Sequence, residues 1–347
     1  MKHRLLGLII IAVALLQTLS IEAQRPFATL EHEGTVTAYY GTTALSQAHS
    51  AAVAGDIITL SPGMFTAVNI TKAITIRGAG MFADTVTGTT PTYIRGEFTF
   101  SAPNDTLHYL SFEGLYFIDK VKYGSVYNPM FSKCMFRTEL EYATATNNTT
   151  YMRDATFVNC IIKRWINVSY SGNYNTYTAS GTTFLNCVIL QSSNDSRDIL
   201  TNCIASFNSY YCDFKVINNC ILYDFQTEGS AEDAITSWNS IGILDYSSSN
   251  KKYFHPSMHA THNLHNYYNY NSVFKYFNGD GSYIDGMSFE LQDSIANTIL
   301  GNDGTQVGIY GGVHPFNPRV QNYKITVPSE SNASGQLPVT IQAANEN

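Results

Sequence analysis

The sequence of 347 residues predicts an all-β protein, a right-handed parallel β-helix of roughly nine to eleven coils. The main observation is a short motif in which an apolar residue stands three positions before a cysteine and asparagine usually precedes that cysteine. Extended by Leu115 and Ser240, the column has neighbouring members 16 to 27 residues apart. Uneven spacing around a fixed motif indicates coils that share one strand and differ in their loops. The cysteines of the motif are Cys134, Cys160, Cys187, Cys203 and Cys220.

In such a solenoid, equivalent residues stack at the strand spacing of about 4.8 Å. The sequence therefore predicts an inward column in which cysteine serves as a small apolar side chain. The asparagines directly before the column are predicted to form a ladder of amides hydrogen-bonded between coils, which Lys133 interrupts. They are Asn159, Asn186, Asn202, Asn219 and Asn239.

An even count of six cysteines makes disulfides the alternative. Stacked side chains point in parallel directions, however, and their Cβ atoms lie further apart than the roughly 3.8 Å of a disulfide. A zinc site is disfavoured because no Cys-x-x-Cys pair exists and sulfurs in a column do not converge. We expect free thiols in the column, with Cys212, which is outside it, as the one exposed or pairing thiol.

The N-terminus has the pattern of a secretory signal peptide over residues 1–23. Basic residues precede an apolar run from Leu5 to Leu16, and Ala23 precedes the expected cleavage point. We expect a secreted, periplasmic or cell-surface protein that does not span a membrane, because no later run is long and apolar enough. The net charge of −7 excludes the electrostatic pattern of a nucleic-acid binder.

The remaining chain divides into a lead segment (24–40), the β-helix (41–313) and a C-terminal β tail (314–347). The lead contains one candidate strand at residues 35–40. A helix is predicted directly after it, with Thr43 as N-cap and Gly55 at its end, to cap the first coil. Two strands around a polar turn are predicted in the tail.

Two segments resemble a known family. The stretch from Gly55 to Gly80 alternates apolar and polar residues between a Pro-Gly turn and an Arg-Gly end, and the stretch from Ser288 to Gly312 contains Asp-Gly and Gly-x-Tyr-Gly-Gly turns. Both are similar to secreted bacterial right-handed parallel β-helix proteins of the pectate-lyase-like superfamily. The resemblance implies the fold and says little about chemistry.

Enzymes of that superfamily, as the resemblance implies, use calcium held by aspartates with an arginine or lysine base, or paired aspartates. Their best-known catalytic strings are absent here. Candidate catalytic residues are Arg153, Asp154, Lys163 and Arg164, which could meet Glu139 and Glu141 on one face, with surface charge as the alternative interpretation. No cofactor is expected. Calcium is the alternative, and it would need several members of an acidic group consisting of Asp195, Asp198, Asp213, Asp224, Glu228, Glu232 and Asp233.

A histidine-rich and tyrosine-rich insertion follows residue 243. The spacing of His255, His259 and His262 suits two imidazoles on one helical face for zinc, with a polar loop as the alternative. For its later part, an aromatic platform for sugar rings is favoured over a zinc site, and ordinary packing of the tyrosines against the coils is favoured over both. The platform residues are Tyr267, Tyr268, Tyr270, Phe274 and Tyr276.

These observations favour a secreted, polysaccharide-associated protein that binds glycan without cleaving it. The first alternative is a polysaccharide lyase or glycoside hydrolase acting on an acidic polysaccharide. The second is a surface structural or adhesion module. Convergent carboxylates and a base would favour the enzyme, and a row of exposed aromatic side chains would favour the binder.

Overall fold

The computed structural model confirms an all-β parallel β-helix with few helical residues. It describes residues 25–84, 88–102, 106–143, 151–166, 168–171, 174–177, 179–193, 198–207, 216–223, 236–243, 265–267, 269–276, 288–317, 323–326 and 340–343.

The helices are α1 (Ala44–Ala51), α2 (Asp293–Ala296) and one 3₁₀ turn (Tyr270–Ser272). The first sixteen strands are β1 (Phe27–His32), β2 (Thr35–Tyr40), β3 (Ile57–Leu60), β4 (Gly63–Thr66), β5 (Asn69–Ile70), β6 (Thr75–Arg77), β7 (Thr92–Arg95), β8 (Phe98–Phe100), β9 (Leu107–His108), β10 (Ser111–Glu113), β11 (Leu115–Phe117), β12 (Val121–Tyr123), β13 (Val126–Tyr127), β14 (Met130–Ser132), β15 (Met135–Tyr142) and β16 (Met152–Arg153). The remaining strands are β17 (Thr156–Val158), β18 (Ile161–Ile166), β19 (Val168–Ser171), β20 (Tyr174–Tyr177), β21 (Ala179–Ser180), β22 (Thr183–Leu185), β23 (Val188–Ser193), β24 (Ile199–Thr201), β25 (Ile204–Phe207), β26 (Val216–Asn218), β27 (Ile221–Tyr223), β28 (Thr236–Trp238), β29 (Ile241–Ile243), β30 (His265–Tyr267), β31 (Tyr323–Thr326) and β32 (Thr340–Ala343).

Three sheets form the sides of the solenoid. Sheet A has the order β2-β1-β3-β6-β10-β14-β17-β22-β24-β26-β28, and its strands are parallel from β3 onward. Sheet B has the order β30-β29-β27-β25-β23-β18-β15-β11-β7-β4, with β12, β8 and β5 as a branch that joins β15. Sheet C is short, with the order β21-β16-β13-β9. Each of the four coils from β6 to β21 therefore runs from sheet A through sheet B to sheet C.

The turn from sheet A to sheet B has one residue in the left-handed conformation. Its φ is 65° at Gly114, 53° at Lys133 and 41° to 53° at the five asparagines of the motif. Asparagine adopts this conformation more readily than most residues, because its short polar side chain can bond locally. The asparagine of the motif is thus selected first by backbone geometry, and Lys133 occupies the same position with the same φ.

The five cysteines form one inward column, fully buried and free. Each sulfur donates to backbone carbonyls, as Cys160 does to Phe131 at 3.5 Å and to Val158 at 3.4 Å. Burial raises the pKa of the Cys134 and Cys220 thiols well above the ordinary value. Beside them, phenylalanine rings stack in a second column with centroids 4.7 to 5.1 Å apart; they are Phe112, Phe131, Phe157 and Phe184.

Helix α1 packs against the first strands through Ala44, Leu45 and Ala48. The side chain of Thr43 makes no capping hydrogen bond, so its predicted N-cap role is wrong; its φ of −93° and ψ of 3° are not the extended geometry of an N-cap. The other end is held instead by Lys72, whose Nζ donates to carbonyl oxygens of the last turn at 2.6 to 3.1 Å.

Residues 288–317, here called the C-terminal strap, cover the outer face of sheet B. The outward residues of that sheet are apolar and buried, as in Ile161, Val188 and Ile204, and they share a cluster with Ile299 and Ile309 of the strap. Along the column that follows the cysteines, sheet B is therefore buried on both faces, which explains why an apolar residue follows each column cysteine.

The strap also changes the role predicted for the asparagines. Asn186 Nδ2 donates to the carbonyls of Ile309 and Gly311 at 2.8 and 2.7 Å. Asn219 Nδ2 donates to Asn302 Oδ1 and Asn219 Oδ1 accepts from Asn302 N, both at 3.0 Å. The prediction of an amide ladder between coils is thus wrong for these residues, because their amides bond to a segment that crosses the coils.

The tail has the two predicted strands, since β31 and β32 pair as an antiparallel hairpin. The lead segment contributes two strands rather than one, because β1 and β2 form a hairpin that pairs with β3 at the edge of sheet A. The proposed signal peptide (1–23) and Cys212 lie outside the described residues.

Candidate functional site

The outer face of sheet C has a row of aromatic side chains. Its strands place one residue inward and the next outward, and the outward residues of β9 and β13 are His108 and Tyr127. Their rings stack with centroids 5.2 Å apart and planes 7° from parallel. Tyr109, the next residue along the chain, is 72% exposed with its ring 6.1 Å from that of His108.

The row continues through β16. The Arg153 guanidinium carbon lies 5.7 Å from the centre of the Tyr127 ring and 4.9 Å from the centre of the Tyr151 ring. The two tyrosine rings meet edge to face at 5.3 Å. Arg153, predicted as a catalytic base, is therefore held as a cation against two aromatic faces. We call His108, Tyr109, Tyr127, Tyr151 and Arg153 the sheet C row.

Hydrogen bonds between phenols fix the row. The hydroxyl of Tyr127 bonds to that of Tyr151, and this bond raises the pKa of Tyr127. Bonds from Thr106 and Tyr127 lower the pKa of Tyr151. The two phenol hydroxyls therefore share a hydrogen bond in which either oxygen can be the donor. The two rings are thereby held in a fixed arrangement, which reduces the conformational entropy that a ligand would otherwise remove.

A second left-handed turn follows sheet C and positions the row. Tyr109, Asn128 and Asp154 have φ of 58°, 52° and 53°, and Gly181 occupies the same turn with 69°. A Cβ at Gly181 would lie 2.5 Å from Asp154 Oδ1. Asp154, a second catalytic candidate, therefore serves as the turn residue after Arg153.

The other two catalytic candidates lie on sheet B, in a different part of the coil. Lys163 is exposed, whereas Arg164 Nη1 contacts Glu139 Oε1 at 2.8 Å. Lys120 Nζ contacts Glu139 Oε2 at 2.5 Å and Glu141 Oε1 at 3.4 Å. Arg164 thus contacts one of the two predicted carboxylates, and Lys120, which was not predicted, contacts both. Arg153 and Asp154 belong to sheet C and the turn after it, so they are not part of this cluster.

The protonation states of this charged cluster suit ion pairing. The hydrogen bond from Lys120 lowers the pKa of Glu139, with a further contribution from Arg164. The bond to Glu139 raises the pKa of Lys120. A general acid would need a raised carboxyl pKa and a lysine base a lowered one, so both shifts are opposite to those of acid–base catalysis.

The tyrosines predicted as a platform do not form one surface. Tyr267 and Tyr270 are half-buried against the cluster under the strap, and the Tyr270 ring meets Tyr223 edge to face at 5.8 Å. Phe274 is buried, and Tyr276 is 68% exposed. Tyr268, with His255, His259 and His262, lies outside the described residues.

No group of three histidine, cysteine, aspartate or glutamate residues suited to a metal ion occurs in the part of the chain that the structure describes. Of the acidic group considered for calcium, Asp198 is described, and it is fully buried with Oδ2 accepting from the Trp165 indole N–H at 3.3 Å. This position suits a core hydrogen bond, because a calcium ligand needs neighbouring oxygens that share the ion. Asp195, Asp213, Asp224, Glu228, Glu232 and Asp233 lie outside the described residues.

The sequence analysis did not find the sheet C row, although a signal is present. The inward residues of sheet C stand five positions before the stacked phenylalanines of sheet A, as Val126 does before Phe131. The outward residue follows one position later, and the left-handed residue after it. Aligning the chain on the phenylalanines instead of the cysteines places His108, Tyr127 and Arg153 in one column.

No helix among the described residues is long and apolar enough to cross a membrane. Comparison with known proteins finds no matching family model, no matching curated protein and no matching solved structure.

Proposed function

We propose that this chain is a secreted protein that binds polysaccharide through the sheet C row. The observation that carries the proposal is the pre-arranged row in which His108 and Arg153 are exposed and the rings of Tyr127 and Tyr151 are half-buried beside them. His108 and Arg153 pack against the Tyr127 ring, so the row presents ring edges, tyrosine hydroxyls and the guanidinium, and these polar groups can bond to sugar hydroxyls. The parallel strands repeat the binding unit along the solenoid axis, which suits a linear chain ligand.

Two sequence observations support this proposal. The N-terminal pattern of residues 1–23 favours export, and the resemblance of two segments to the pectate-lyase-like superfamily associates the fold with polysaccharides. The charged cluster around Glu139 gives the enzyme alternative no support, because the ion pair with Lys120 lowers the pKa of Glu139 and raises that of Lys120, opposite to the shifts of a general acid and a lysine base.

The test is affinity electrophoresis of the protein in gels that contain neutral or acidic polysaccharides, with chain length followed in parallel. We expect retention on at least one polysaccharide without cleavage. Tyr127→Ala and Tyr151→Ala should each weaken retention about tenfold, because each removes a phenol hydroxyl and a ring that holds Arg153 in place. Tyr276→Ala is the matched control, since Tyr276 is exposed but remote from the row in sequence and sheet.

Retention that is equal in the wild type, Tyr127→Ala and Tyr151→Ala would contradict the proposal. Cleavage that persists in both variants but disappears in Arg164→Ala would favour the enzyme instead. Folding of each variant is checked by circular dichroism before retention is compared.

A further inference from the structure

The N-terminal edge of sheet A is formed by strand β2, and it bears on assembly of the protein independently of glycan binding. Strand β2 is the last strand of that sheet, and among the described residues it pairs with β1 alone. Thr35 to Ala38 are exposed, and Val36 and Tyr40 are 63% and 66% exposed. The strand contains no charge, proline or bulge, which are the features that normally protect an edge from other strands.

The hairpin geometry shows which backbone groups face the open edge. Glu33 and Gly34 form a two-residue loop with φ of 47° and 78°, as in a type I′ turn. Gly41 N donates to Pro26 O at 2.7 Å, which fixes the phase of the ladder between β1 and β2. With alternating hydrogen-bonded pairs, the N–H and C=O groups of Val36, Ala38 and Tyr40 point away from β1.

From these observations we infer that β2 pairs with β2 of a second copy of this chain, in antiparallel orientation about a two-fold axis. Setting Ala38 opposite Ala38 of the second copy brings Val36 opposite Tyr40 on both sides of the axis. This register uses all the edge-facing N–H and C=O groups of both strands, because an isologous interface repeats each contact. It also gives two pairs of a β-branched and an aromatic side chain, which are favourable across strands.

Charge complementarity selects the antiparallel second copy. The turn end of β2 is acidic, with exposed Glu31 and Glu33 close to Thr35. The other end has the exposed Arg25, one residue before the Pro26 that bonds to Gly41. Antiparallel pairing places the acidic end of one copy beside the basic end of the other, whereas parallel pairing would place the two acidic ends together.

The experiment is sedimentation velocity of the mature chain over about 10 μM to 1 mM, with Ala38→Lys as the test variant. The expected result is a wild-type mass that doubles as concentration rises. Ala38→Lys sets two lysines against each other at the axis, so its dissociation constant should rise at least about tenfold. Gln47→Lys, an equal charge change on the exposed side of α1, is the control and should dimerise as the wild type does.

Amide hydrogen exchange of the wild type gives a second measurement that no folding defect of a variant can obscure. The amides of Val36, Ala38 and Tyr40 should become protected as concentration rises, while that of Thr37, bonded to β1, is protected throughout. A wild type that stays monomeric up to 1 mM would overturn the inference. The inference would also be overturned if Ala38→Lys and Gln47→Lys changed the dissociation constant equally and the amides of β2 gained no protection from exchange.

Discussion

Sheets B and C belong to the same coils, yet their outward columns have opposite environments. Ile161, Val188 and Ile204 on sheet B are at most 1% exposed beneath the C-terminal strap. On sheet C, His108 and Arg153 face solvent in the sheet C row. The strands are equivalent in geometry, so the difference comes from which residues they present. An outward column of aliphatic residues is stabilised when a chain segment covers it and removes it from water. An outward column of aromatic and cationic residues can remain in solvent, where ligands can reach it.

The largest expected difference between the two faces is in the cost of truncating an outward side chain. Ile221→Ala should lower the free energy of unfolding by about 2–4 kcal/mol, because it leaves a cavity between sheet B and the strap. His108→Ala on sheet C should change it by less than about 0.5 kcal/mol, because the side chain is exposed. Urea denaturation measures both, and equal costs would show that the strap does not cover sheet B.

Glycines of the strap give a sharper comparison. Gly312 and Gly304 share a φ of 76°. A Cβ at Gly312 would lie 1.9 Å from Asn202 Nδ2, whereas a Cβ at Gly304 would have no atom within 4 Å. Gly304→Ala should cost about 1–2 kcal/mol for the left-handed conformation alone. Gly312→Ala should cost at least about 1 kcal/mol more, because the strap must also move. Similar midpoints of guanidinium-induced unfolding for the two variants would contradict the close contact between Gly312 and Asn202.

Substituting glycine for asparagine in the turns from sheet A to sheet B measures how much the hydrogen bonds to the strap contribute to stability. Asn219 and Asn159 share a φ of 53°, and glycine keeps that backbone while removing the amide. Asn219→Gly should cost about 1–2 kcal/mol, because it deletes both bonds to Asn302. Asn159, whose Oδ1 has no partner among the described residues, should tolerate glycine with a smaller loss. A greater loss at Asn159 would contradict this role of the amide bonds.

The smallest effect is expected from the ion pairs at the start of the strap. Lys275 Nζ contacts Glu290 at 2.8 Å and Asp293 at 2.9 Å, and the hydrogen bond to Glu290 raises its pKa. A raised pKa means that the stabilisation is complete below the ordinary value of 10.5 and is lost as pH rises through the folded value. Lys275→Met should lower stability less than Asn219→Gly, and the loss should shrink in high salt because the charges are screened. A loss that salt leaves unchanged would point to packing instead.

The coil motif could be predicted because it repeats. Cysteine, asparagine and phenylalanine return to equivalent places in each coil, and a repeated residue needs only one geometric explanation. The strap could not be predicted in the same way, since Ile309 and Gly311 contact Asn186 from more than a hundred residues away. A long-range contact of this kind leaves no period in the sequence. The apolar residue after each cysteine is a sign in the sequence that sheet B is covered, but no cover was predicted from it, and it does not identify the covering segment.

The candidate site was predicted less well than the fold. Arg153 was selected for its charge, and the structure gives it two aromatic neighbours, Tyr127 from the preceding coil and Tyr151 from its own. Tyr267 and Tyr270 were selected because they are close in sequence, yet both are half-buried against the apolar cluster under the strap instead of forming an exposed platform. A surface on a solenoid is assembled across coils, so residues about 20 positions apart are neighbours and residues within one loop need not be.

The cysteine column makes each coil individually observable. A buried thiol reacts with an alkylating reagent only when its own surroundings open, because the reactive thiolate needs solvent. Cys134, Cys160, Cys187, Cys203 and Cys220 mark five successive coils with one sulfur each. The order in which they are labelled under mild denaturant would therefore report whether the solenoid opens from one end, coil after coil, or all at once.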